Sequence, residues 1–144
     1  AQAWEIVRMY ATRWLEEEFH KALKTGLGLE RQQLESAAGW FALTALMSVV
    51  ALRLIALREV VRAAPDAPVE QSGLTPTEQA VLSLRTERPL KTVRDVALAL
   101  ARLGGHLNRT GDGLPGWIVL WRGWRVLQNL MEGVHIARKL TFCG

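Results

Sequence analysis

The sequence has little of what small secreted or metal-held domains depend on. Its 144 residues include one cysteine, Cys143. No disulfide can therefore close within the chain, and a reducing cytoplasm is the natural compartment. The three histidines, His20, His106 and His135, are scattered with no Cys or His at ligand spacing, which argues against a zinc site. Alternating runs of Val, Ile or Thr are missing, so strands are not expected. Nothing near the N-terminus has the order of a signal peptide, so Asn108-Arg109-Thr110 matches a glycosylation acceptor by chance alone. The glycine-rich "TGDGLPG", residues 110–116, is followed by no Gly-Lys-Ser/Thr and reads as turns rather than a phosphate loop.

What the chain does have is apolar content: 49% of it is hydrophobic, enough to bury a core. Lys and Arg outnumber Asp and Glu by 18 to 14, a net charge of +4 that leans mildly toward polyanionic partners. The uncharged run Ser36–Leu52, "SAAGWFALTALMSVVAL", stops just short of bilayer length and leads into Arg53, Arg58, Glu59 and Arg62. It is read as a buried helix of a soluble protein, with no membrane partner.

Apolar residues recur at helical spacing almost throughout, so the expected fold is mainly α. A first helix is predicted from Trp4 to Thr25, ending at Gly26 and Gly28, and a second from Arg31 to Ala63. Trp40, Phe41, Leu43, Leu46, Val50 and Leu54 of the second helix are expected to pack beneath the first. "APDAPVEQSG", residues 64–73, interrupts the periodicity and is read as a linker between an N-terminal part, 1–63, and a small all-helical C-terminal lobe, 74–144. In that lobe Thr75, with Pro76 and Glu78, opens a helix reaching Leu84. Another helix spans Thr92–Leu103 and closes at Gly104-Gly105. The last runs from Pro115 or Gly116 to Lys139, with Trp117, Trp121 and Trp124 on one face, suited to a core or an interface.

The first helix carries the chemistry. At about 100° per residue, Tyr10, Arg13, Glu17, Lys21 and Lys24 fall within about 80° of arc. Ala11, Leu15, Phe19, Ala22 and Leu23 cluster on the opposite side, the expected core face. A solvated salt-bridge ladder accounts for the charged stripe, since Arg13–Glu17 and Glu17–Lys21 are i, i+4 pairs. Phosphodiester chemistry gives the same residues one purpose. A glutamate holds a divalent metal, while Arg, Lys and a Tyr hydroxyl grip neighbouring phosphates.

The spacing Tyr10-x2-Arg13-x3-Glu17-x6-Lys24 resembles the Y-R-E-K signature of bacterial DDE transposases of the insertion-sequence-four group. Four such residues at fixed spacing arise by chance in roughly one chain of this length in a thousand. The likeness continues through "EEFHKALKTG", "ERQQLE", "VALRLIALRE", "ARLGG" and "LWRGW", in the same order and over almost the whole chain.

The resemblance implies that residues 1–63 are the C-terminal helices of a ribonuclease-H-like catalytic domain, with Glu17 as its third acidic metal ligand. Tyr10, Arg13 and Lys24 would bind DNA phosphates, with Lys21 assisting at the backbone and Trp14 by base stacking. The cofactor would be Mg2+ or Mn2+. The partners would be transposon-end and target DNA and, through residues 74–144, a second copy in a synaptic homodimer. The family's two catalytic aspartates come from upstream strands. Asp66, Asp95 and Asp112 lie in the linker and the C-terminal lobe and cannot replace them, so the chain alone is expected to be inactive. A dimerising inhibitor without catalysis and a plain helical interaction module are the alternatives.

Overall fold

The computed structural model describes residues 2–142; Cys143, and with it the question of its thiol, lies outside them. The protein is mainly helical, and no strand occurs among the described residues. Five α-helices follow one another: α1 (Gln2–Lys21), α2 (Ala37–Ala63), α3 (Pro76–Thr86), α4 (Val93–Leu103) and α5 (Trp117–Phe142). Two compact units divide between Ile55 and Ala56, inside α2.

In the N-terminal unit α1 does not continue unchanged to Thr25. From Ala22 to Gly26 it widens into a π turn, where the Leu27 N–H reaches back five residues to the Ala22 carbonyl at 2.9 Å. Gly28 then takes a left-handed conformation (φ +65°) that a side chain would strain. A single 3-10 turn, Leu29–Arg31, follows. The expected second helix begins six residues late, at Ala37. Ser36 stops it from starting earlier: its hydroxyl accepts from the Gly39 N–H at 3.1 Å and its carbonyl from the Trp40 N–H at 3.1 Å.

Two expectations about packing need correction. The back of α1 is covered only at its C-terminal end, where Ala22, Leu23 and Leu27 are buried; Leu15 and Phe19 are half-buried, and the side chain of Ala11 lies outside those described. Along α2, Leu54 is buried and Trp40, Leu43 and Val50 are half-buried, but Phe41 is 77% exposed and Leu46 62%. Phe41, Ala42, Ala45, Leu46, Val49, Leu52 and Ala56 form one exposed flank covering about 140° of the helix, apolar except for Arg53 near one edge. A helix apolar on all sides needs neighbours on all sides, and the described residues cover only one. By length and composition alone α2 could cross a membrane; 22% of its most apolar window is buried.

The C-terminal unit is built on local caps and a tight helix crossing. Residues 64–73 are bonded into it: Val69 N–H donates to the Lys91 carbonyl at 3.1 Å, Val93 N–H to Ala67 at 2.9 Å and Arg94 N–H to Pro65 at 3.1 Å. Thr75 and Glu78 form a reciprocal capping box at the start of α3, and Thr92 and Asp95 form another at the start of α4. Glu78 is buried, and its Oε1 also accepts from Gln128 Nε2 at 3.1 Å, which ties α3 to α5. Where α4 crosses α5, the backbones meet without intervening side chains. A Cβ placed on Gly123 would overlap the Leu100 carbonyl, and one on Gly104 would overlap that of Val119. Around this crossing Val96, Leu100, Leu120 and Leu127 are buried, with Trp117 and Trp124 beside them. Trp121, on the same stripe, is half-buried.

Candidate functional site

The front of α1 holds three of the sequence-selected residues in one chain of contacts. The Arg13 guanidinium lies 5.8 Å from the centre of the Tyr10 ring, within cation–π range. Its Nε is 3.4 Å from Glu17 Oε1, the i, i+4 pair expected from spacing. All three are open to solvent: Tyr10 is 70% exposed, and the Arg13 and Glu17 side chains 61% and 67%. An ion pair this exposed contributes at most about 1 kcal/mol to stability. Their alignment therefore holds side chains in register more than it holds the fold.

Lys24 behaves differently. In an ideal α-helix it would sit almost directly over Glu17, but the π turn begins two residues before it. A π turn advances less per residue, so Lys24 is rotated away from the Arg13–Glu17 line. Its ammonium instead stands 3.6 Å from Glu30 Oε1, across the Gly28 bend. Glu30 was not among the residues picked from sequence. The Gly26-x-Gly28 spacing was a signal for the bend but not for this partner. Lys21, on the last turn of α1, is exposed. Trp14, one residue beyond Arg13, keeps 39% of its surface accessible.

Chemically, this front and the π turn after it offer a phenol, a guanidinium, a carboxylate and two ammonium groups along about four helical turns, all reachable by a large ligand. The positive members suit phosphate oxygens: Arg in a two-pronged geometry, Lys as a point charge. A pair of divalent ions does not fit the donors present. Glu17 turns one carboxylate oxygen toward Arg13, and among the described residues no three His, Cys, Asp or Glu converge. No known protein-family model matches the chain.

Proposed function

We propose that the chain is the C-terminal part of a cut-and-paste DDE transposase of the insertion-sequence-four group, similar to the transposase of transposon five. The single observation that carries this reading is the Tyr10–Arg13–Glu17 contact chain on one open helix front. In this reading the ribonuclease-H-like domain of the parent protein supplies two aspartates, and Glu17 is the third acidic residue. That complete site cleaves the phosphodiester bond at the transposon end and frees a 3′ hydroxyl, which then attacks the partner strand. Arg13, Lys24 and Tyr10 grip the flanking phosphates, with Lys21 and Trp14 beside them. The exposed apolar residues of α1, among them Trp4, Ile6 and Met9, and the open flank of α2 are surfaces that such a domain would cover. Residues 74–144 are the dimerisation lobe.

One observation favours a second reading. Arg13 and Glu17 pair at 3.4 Å while both stay about two-thirds exposed, as in an ordinary solvated ladder on a helical interaction module. The experiment that separates the two begins with the coding DNA upstream of the Ala1 codon. If an open frame supplies two aspartates on predicted strands, the full protein is assayed for transposon-end nicking and joining. Glu17→Gln should abolish both, and Arg13→Ala with Lys24→Ala should lower end processing at least a hundredfold while the circular dichroism spectrum is unchanged. Normal cutting and joining by the double variant would overturn the phosphate-grip assignment. The isolated chain should show no nicking.

A further inference from the structure

A second charged site lies wholly inside the C-terminal unit, where the end of α3, one side of α4 and the loop after α4 enclose an open cavity of about 570 Å3. Arg88, Arg102 and His106 line it together with Pro89, Leu98 and Leu107. Among the described residues neither guanidinium has a carboxylate partner. Asp95, the one acid in the lining, has Oδ2 committed to the α4 cap, accepting from the Lys91 N–H at 3.0 Å and the Thr92 N–H at 2.9 Å. His106 belongs to the wall, but its Nε2 is shut off from solvent, and so from the open space, and has no hydrogen-bond partner in the structure.

The backbone that carries Arg88 and His106 is tied down. His106 N–H donates to the Ala101 carbonyl at 2.9 Å after the left-handed Gly105 (φ +91°), a helix stop that holds the imidazole at the cavity wall. Arg88 is held from both sides by Ser83: its N–H donates to the Ser83 carbonyl at 3.2 Å, and its own carbonyl accepts from Ser83 Oγ at 2.7 Å. Two guanidiniums lining one space, with no carboxylate paired to either, suit the oxygens of a phosphate monoester, whose charge and geometry favour paired arginines. The apolar wall and the volume suit a flat organic body attached to that phosphate.

We propose that this cavity binds a phosphate monoester of nucleotide size, with Arg88 and Arg102 on the phosphate and the His106 side chain beside it in the wall. The same chemistry is carried by a free nucleotide and by the 5′-phosphorylated end of a nucleic-acid strand. The inference rests on residues 83–107 and does not depend on the reading of α1.

The test uses the full chain with four probes: AMP, adenosine, and one short oligodeoxynucleotide with and without a 5′ phosphate. Binding is followed by calorimetry and by the His106 imidazole resonance, assigned with His106→Gln. Saturable AMP binding that shifts this resonance, is at least tenfold weaker for adenosine and falls roughly tenfold in Arg88→Ala and in Arg102→Ala supports the site with a free nucleotide as ligand. The same pattern for the 5′-phosphorylated strand but not AMP supports it with a strand end as ligand. Both arginines are exposed, so circular dichroism of the variants should match the parent. The proposal is overturned if neither phosphorylated probe binds, if binding survives both arginine substitutions, or if removing the phosphate makes no difference.

Discussion

Replacing Gly123 by alanine tests the reasoning about the C-terminal unit most directly. In isolation the change favours the helix: alanine in place of glycine adds about 1 kcal/mol of helix propensity. Here the new methyl would overlap the Leu100 carbonyl of α4, and that neighbour is backbone, which cannot swing aside. Relief requires α4 and α5 to move apart by about an ångström or more, which loosens contacts around Leu100, Leu120, Trp124 and Leu127. Overpacking against side chains costs about 1–3 kcal/mol and occasionally more; against backbone that must yield, about 3–4 kcal/mol is expected. Set against the propensity gain, a net loss of about 2–3 kcal/mol is expected, which lowers Tm by about 10–20 °C for a unit of this size. Gly133 on the same helix is the control, because a Cβ there meets nothing within 4 Å. Gly133→Ala should leave Tm unchanged or raise it by a few degrees. Thermal melts of both variants, followed by tryptophan fluorescence and circular dichroism, decide the matter. If Gly123→Ala melts at or above the parent temperature, the backbone-to-backbone crossing is wrong.

Two further outcomes follow from other parts of the fold. Partial burial pushes the Asp95 carboxyl up, but hydrogen bonds from the Thr92 and Lys91 N–H groups and the Thr92 hydroxyl, with the Lys91 charge, outweigh it and hold the group below its ordinary value of 3.8. A lowered folded pKa means stability that is present above the unfolded value and lost as pH falls through the folded one. Asp95→Asn should therefore cost about 0.5–1 kcal/mol at pH 7, with the difference closing below about pH 4; a gap independent of pH in denaturant titrations would contradict the capping charge. The open flank of α2 predicts that the isolated chain binds a hydrophobic dye, and that Phe41→Ser with Leu46→Ser cuts the dye fluorescence at least by half. Unchanged fluorescence would mean that those side chains are covered in solution.

What the sequence determined by itself is what depends on neighbours three to five residues away. Thr75 with Glu78, Thr92 with Asp95, and Gly104-Gly105 marked helix boundaries because each cap is a short-range hydrogen bond between residue types that can form it. The Arg13–Glu17 pair was legible for the same reason, since four residues is one helical turn. The mainly helical character followed from periodicity alone. Other features were decided by tertiary structure. The π turn at Ala22–Gly26 and the turn of Lys24 toward Glu30 depend on how α1 ends against the buried Leu23 and Leu27, which no local pattern states. Residues 64–73 look like a linker in sequence because prolines and glycine break periodicity, yet their N–H and carbonyl groups find partners more than twenty residues away, at Lys91, Val93 and Arg94. Composition made α2 apolar but could not say which side the chain would cover. Gly123 and His106 were silent in sequence: one matters because a distant backbone touches it, the other because folding buries its ring nitrogen without a partner.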